Sequence, residues 1–163
     1  MQPDRYWGGT MRISNLRDHP HFADTIAHRG WNAWWTDSGI PVEHYRAHLE
    51  PMLASDGIPF ALVAHDNGDY EGSVLVIEND HDERPQYAPW IAALWVEPQF
   101  RRQGIAARLL VESRLEAEKR GHASCYLCAT SDKAPYYLKQ GFSLIEPNVS
   151  DLDIFMIGSP KTG

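Results

Sequence analysis

Cysteine is scarce in this chain, with two in 163 residues. That is too few for a disulfide framework, and two alone do not complete a four-ligand zinc site. They stand as Cys125 and Cys128, a C-x-x-C spacing that invites a redox reading. Yet residues 123–130 are mostly apolar and predict a buried strand. Residues three apart on a strand point to opposite faces, and a reactive thiolate needs an exposed, electropositive setting. The pair therefore reads as two structural thiols. Long apolar runs are also missing: none approaches the ~18 residues of a membrane span. Residues 1–10 lack the apolar core of a secretory signal. The expectation is a cytoplasmic protein with no membrane partner. Basic side chains are few, 15 against 22 acidic ones, for a net charge of −7. General nucleic-acid binding needs a basic face and is not expected. The eight histidines are scattered. His19 and His21 lie two apart on an expected helix start and share no face, so no metal site is expected.

What remains is ordinary globular material, 43% hydrophobic and 23% charged. A domain of ~150 residues hides roughly 70% of the surface its unfolded chain exposes, enough for a real core. Residues 1–10 read as a flexible leader, 11–158 as one domain and 159–163 as a tail. Alternation over 11–16 predicts a first strand. A helix follows, with Asp18 as its cap and Pro20 in its first turn, and with Phe22, Ile26, Ala27, Trp31, Trp34 and Trp35 at helical spacing. Residues 42–54 predict a second helix. Strands at 59–65 and 71–77 flank Asp66-Asn67-Gly68-Asp69, a hairpin turn whose Asn and Gly accept positive φ. Residues 79–87 form a polar loop. Residues 90–96 are apolar throughout and predict a central strand buried on both faces. A helix to about Arg120 stops at Gly121. A strand at 123–130, a short helix at 134–140 stopped by Gly141, and strands at 142–146 and 151–157 complete a mixed α/β sheet.

An acidic chain nevertheless places Phe100-Arg101-Arg102-Gln103-Gly104-Ile105-Ala106-Ala107 between that central strand and the long helix. The first amides of a helix lack intrahelical partners and carry partial positive charge. A phosphate there accepts several hydrogen bonds at once. Gly104 lets the backbone come close, Arg101 and Arg102 add charge, and Ala106 and Ala107 keep the first turn thin. Neither the Walker pattern nor the G-x-G-x-x-G fingerprint is present. The stretch alone leaves two readings open, an anion cradle or a solvated charged turn.

Val96-x-Pro98-x-Phe100-Arg101-Arg102-Gln103-Gly104-Ile105-Ala106 resembles motif A of the GNAT superfamily of N-acetyltransferases, matching its Arg/Gln-x-x-Gly-x-Gly/Ala core at Arg101, Gly104 and Ala106. Ala134-Pro135-Tyr136-Tyr137-Leu138-Lys139-Gln140-Gly141-Phe142 is similar to the family's Tyr-x-x-x-Gly-Phe segment. The resemblance spans most of the chain. It implies a single-domain, mixed, mostly antiparallel central sheet flanked by helices. It also implies acetyl-CoA as cosubstrate, no metal, and transfer of an acetyl group to a primary amine of a small molecule or peptide by direct attack. Homodimers are common in the family, so a homodimer is one candidate assembly.

By the same resemblance, Arg101, Arg102, Gln103, Gly104, Ile105, Ala106 and Ala107 cradle the pyrophosphate. The amides of Leu94, Trp95 and Val96, beside a strand bulge, hold the pantetheine arm and polarise the thioester. Preorganised amides of this kind are worth ~3 kcal/mol each in a transition state. Tyr137 matches the general acid; its own spacing also suits core packing, the role given to Tyr136. Thr130 stands where the family has a cofactor-touching Asn, and equally suits a helix cap. The chain departs from the family at the base: Trp90 and Cys125 occupy the places where many members carry Glu. A water chain, a carboxylate or His of 79–83, or an amine that arrives neutral are the options, with Glu97 expected beyond the strand end. Trp31, Trp34, Trp35 and Tyr45 are candidate acceptor walls, though their spacing also suits core. Asp37 and Glu43 are either amine anchors or solvated charges. The competing reading is a non-catalytic coenzyme-A-binding sensor or interaction module.

Overall fold

A computed structural model describes residues 10–158. The leader expected over residues 1–10, apart from Thr10, and the tail over 159–163 lie outside the described residues. The chain opens with β1 (Arg12–Asn15) and two 3₁₀ turns, Leu16–Asp18 and Pro20–Phe22. Helices α1 (Ala23–Trp34) and α2 (Val42–His48) follow, with a further 3₁₀ turn over Glu50–Leu53. Then come β2 (Phe60–Asp66), β3 (Asp69–Ile77), β4 (Trp90–Val96), α3 (Ile105–Lys119), β5 (Ser124–Ala129), α4 (Ala134–Lys139), β6 (Ser143–Val149) and β7 (Leu152–Gly158). The seven strands form one sheet in the order β1-β2-β3-β4-β5-β7-β6. All neighbours are antiparallel except β4 and β5. This is the mixed, mostly antiparallel α/β sheet flanked by helices that the sequence implies. Among the described residues no helix is long and apolar enough to cross a membrane.

Local chemistry explains most boundaries. The β2–β3 hairpin turns through Asn67 at φ 51° and Gly68 at φ 86°, the conformation that Asn and Gly accept most readily. Helix α3 ends in a Schellman arrangement. Gly121 takes φ 98°, its amide donates to the Glu118 carbonyl at 3.0 Å, and His122 donates to Ala117 at 3.0 Å. Asp18 does not cap α1. Asn15 instead accepts from the Arg17 amide at 3.1 Å, and the chain reaches α1 through a turn begun by Pro20. The second helix stops at His48 rather than 54. Pro51 has no amide to donate to the Ala47 carbonyl, so the chain tightens into 3₁₀.

The sheet separates two apolar layers. On one face α3 buries Ile105, Leu109 and Leu110 against Val74, Val76, Ile91, Cys125, Leu127 and Phe155. On the other, α1 and α2 bury Ile26, Ala27, Tyr45 and Leu49 against Ala61, Val63 and Leu75. Each large apolar side chain so placed contributes roughly 1.5–3 kcal/mol relative to exposure. The two cysteines take opposite faces, Cys125 in the α3 layer and Cys128 beside Trp90, Tyr126 and Ile154. Both thiols are free.

Candidate active site

The site begins where the sheet opens. β4 and β5 pair only at Trp90 and Tyr126, and beyond that point the strands part. β4 also carries one extra residue. Ser73 faces Trp95 while Leu75 faces Ala92, so a bulge falls at Ala93 and Leu94, with Ala93 at φ 54°. The strand is therefore not buried on both faces along its length. Trp90 and Ile91 are buried, but Ala92 to Trp95 are half-buried, because they line a cleft of about 1520 Å³ that runs past both faces of the sheet. The Glu97 amide donates to the Glu71 carbonyl at 2.9 Å. Ladder alternation then turns the Trp95 amide towards β3 and the Val96 amide away from it, into the open side.

A smaller groove of about 470 Å³ continues the cleft along the start of α3. Leu94, Trp95, Val96, Arg101, Arg102, Gly104, Ile105, Ala106 and Ala107 all line it. Gly104 takes φ 82°, and no side chain caps the helix. The first α-helical bond is Arg108 to Gly104, at 3.0 Å. The amides of the preceding residues thus have no partner within the helix, and with Arg102 at φ 65° they line a concavity of the kind that suits an anion. Gln103 is exposed and outside both linings. The two arginines differ. Arg101 donates from Nε to the Val96 carbonyl at 2.8 Å and stacks 4.6 Å over Trp95, so it latches the loop to the strand end. Arg102 is exposed. These features fit a diphosphate: unpartnered amides, no obstructing side chain and two adjacent cations.

Tyr137, on α4, lines the main cleft with its ring against Phe142 and Phe155, both at 5.7 Å between centroids. Burial pushes its phenol pKa up, so it stays protonated at neutral pH. Tyr136, read from sequence as packing, is instead 37% exposed and lines both the cleft and the groove. Thr130 lines the cleft and does not cap the turn that follows it. Its hydroxyl bonds to Asp132 and holds that carboxyl below its usual pKa.

The other end of the cleft is built by α1, α2 and the 79–87 loop. Trp34, Trp35 and Tyr45 line it; Trp31 does not, and instead donates to the Ile40 carbonyl at 2.6 Å. Helical spacing made Trp34 a core candidate, yet it is 50% exposed, its edge against Trp95 at 6.3 Å. Asp37 and Glu43 are exposed and outside the linings. Glu97 is sequestered. It accepts from Arg29 Nε at 2.8 Å and Trp95 Nε1 at 2.9 Å, and Arg29 holds its pKa low.

Within the 79–83 loop the options narrow to one. His81 is buried, its Nε2 bonding to the Val149 carbonyl at 3.0 Å while Nδ1 accepts from the Glu83 amide at 3.2 Å. Glu83 accepts from Ser150, and Asp82 is exposed. Asp80 lines the cleft. The Cys128 thiol donates to its carboxylate, Sγ to Oδ2 at 3.6 Å. Asp80 keeps exposed surface because the cleft is open, but crowding by protein atoms raises its pKa. Burial and then Asp80 push the Cys128 thiol up to about 12, so it remains a neutral donor. The loop is pinned to β6: Arg84 meets Glu146 from Nε at 3.0 Å and Nη2 at 2.7 Å. Sequence periodicity gave no signal for Asp80, because its place depends on this contact across 62 residues. Among the described residues no group of three or more His, Cys, Asp or Glu is placed to hold a metal ion.

A search of curated protein sequences finds no significant match. Solved structures do match in fold. YncA from Salmonella typhimurium, solved with its cofactor acetyl-CoA, is 19% identical over 91% of this chain and 94% of its own, with a TM-score of 0.71. An aminoglycoside 6'-acetyltransferase type Ii is 22% identical over 93% of this chain and 99% of its own, with a TM-score of 0.68. An aminoglycoside 6'-N-acetyltransferase from Enterococcus faecium is 18% identical over 92% and 99%, with a TM-score of 0.65. The family model for the acetyltransferase (GNAT) domain matches residues 59–144, more than half of the chain and the span that holds β4, the α3 loop and α4. With its sheet opened between β4 and β5 and a glycine-led α3 at the opening, the chain belongs to the GNAT family of acetyltransferases.

Proposed function

We propose that this chain is an acetyl-CoA-dependent N-acetyltransferase acting on a primary amine of a small molecule or peptide by direct attack. The observation that carries the reading is the continuity of the cleft. It runs from the open amides of α3, past the β4 bulge and Tyr137, to an aromatic end with a carboxylate. Acetyl-CoA, when bound, supplies an activated acyl group on a good leaving thiol.

The chain's residues supply the rest. Ile105, Ala106 and Ala107 offer main-chain donors to the diphosphate, with Arg102 adding charge. Arg101 holds the loop against Val96 and Trp95. The Val96 amide is a donor for the thioester oxygen. Tyr137 donates a proton to the departing sulfur, a role that general acids fill with ~10²–10⁴-fold effect. Calorimetry with acetyl-CoA tests the cradle, and thiol release with an amine panel tests the chemistry. Affinity without turnover on any amine would favour the coenzyme-A-binding module instead. No affinity would remove both readings.

A further inference from the structure

The charged side chains lining the cleft are divided between its ends. The cations Arg101, Arg102 and Lys133 line the part formed by the α3 loop and the turn before α4. The carboxylates Glu78 and Asp80 lie at the end walled by α1 and α2. That end is otherwise mostly apolar, with Trp34, Trp35 and Tyr45 beside Met52, Leu75 and Ile77. Trp35 meets Tyr45 edge-on at 4.9 Å, and Trp34 stands half-exposed beside Trp95. Such a wall offers apolar area and quadrupole attraction for a cation. Among the described residues, an acceptor carrying its own carboxylate finds no arginine or lysine lining that end, and His48 is the one basic side chain there. A polycation finds two carboxylates and a surface that strips water from its remaining charges.

We propose that the acceptor is a monoamine, cationic in solution, carried on an aromatic body without an acidic group, and that Asp80 holds its ammonium and takes up its first proton. This rests on the N-acetyltransferase reading above. The Cys128 thiol orients the carboxylate, and the pinned 79–87 loop fixes its position. The ammonium gives one proton to Asp80, which passes it to solvent. The free amine then forms the N–C bond as the C–S bond breaks. Tyr137 gives its proton to the sulfur and recovers one from the nitrogen. The products are amide, free thiol and one released proton.

The test is calorimetric titration of the coenzyme-A-saturated protein with 2-phenylethylamine, n-butylamine and phenylalanine, with thiol release from acetyl-CoA measured alongside. The expected result is that 2-phenylethylamine binds at least tenfold tighter than either comparator. Asp80→Asn weakens it at least tenfold with coenzyme A affinity unchanged, and Trp34→Ala removes the advantage over n-butylamine. Equal binding of phenylalanine, no binding of 2-phenylethylamine, or an unaffected Asp80→Asn variant would overturn the inference. Ring-selective binding without thiol release would uphold this pocket and overturn the transferase reading. Thiol release without ring or charge preference would do the reverse.

Discussion

Gly30 lies in the middle of α1 with its face buried, and Tyr45 of α2 lies directly against it. A Cβ at Gly30 would stand 2.1 Å from the Tyr45 hydroxyl oxygen, 2.3 Å from Cζ and 2.8 Å from Cε1. Ordinary contacts begin beyond 3.4 Å, so the tyrosine ring would have to move by more than an ångström. Two effects oppose each other in Gly30→Ala. Helix propensity favours alanine by roughly 0.8–1.0 kcal/mol. Overpacking a filled core costs roughly 1–3 kcal/mol. The clash involves the hydroxyl oxygen and two ring atoms of a buried side chain that also packs on Trp35, so the cost wins. A net loss of roughly 1 kcal/mol lowers the unfolding midpoint by roughly 2–4 °C at this size. In a Tyr45→Leu background the clashing atoms are gone, and the same substitution raises the midpoint. Scanning calorimetry of the four proteins reads the sign reversal directly. In the wild-type background the displaced ring also raises the amine KM while acetyl-CoA affinity stays unchanged. A midpoint raised by alanine in both backgrounds would refute the packing of α1 on α2 described above.

Tyr137→Phe keeps the ring contacts with Phe142 and Phe155 and removes the proton donor. kcat should fall by about 10²-fold or more with acetyl-CoA affinity unchanged, as read by steady-state kinetics and calorimetry. Gly104→Glu places a carboxylate over the open amides and forces a side chain into φ 82°; calorimetry should show at least a tenfold loss of acetyl-CoA affinity. Glu97 has its pKa lowered mainly by Arg29. Its contribution to stability is therefore complete above the ordinary glutamate value of ~4.3 and lost as pH falls through the depressed folded value. The midpoint difference between wild type and Glu97→Gln should be largest near neutral pH and shrink in acid. Glu146→Gln removes the charged partner of Arg84 and loosens the 79–87 loop; amine KM should rise, and hydrogen exchange of that loop should quicken.

Features encoded by neighbours in sequence were legible, and features set by distant contacts were not. Asn67-Gly68 marks its hairpin, Gly121 its helix end, and Arg101 to Ala107 their loop, because each is decided within a few residues. The shortened α2 was also local, and Pro51 was the available sign. The half-burial of Ala92 to Trp95 follows from the parting of β4 and β5, and Trp34 is exposed where α1 borders the same cleft. That parting is a property of the whole sheet, which no periodicity reports. The same holds for β7 lying between β5 and β6. The sequence offered every carboxylate and His of 79–83 alike, and Asp80 stood out from them only once Arg84 and Glu146 had joined the loop to β6. Arg101 has the opposite history. Its place in the motif suggested a phosphate ligand, while its bond to the Val96 carbonyl makes it a latch.

On the proposed reading, the start of α3 and the opened strand β4 together hold acetyl-CoA. Thermal unfolding with and without acetyl-CoA, with coenzyme A and adenosine diphosphate alongside, tests it most directly. Ligand at ~100 times its dissociation constant should stabilise the fold by ~2.7 kcal/mol. At roughly 2–4 °C per kcal/mol that is a rise of several degrees, abolished in Gly104→Glu. An unchanged midpoint at millimolar ligand would mean that Arg101 to Ala107 form only a charged turn, and would contradict the account.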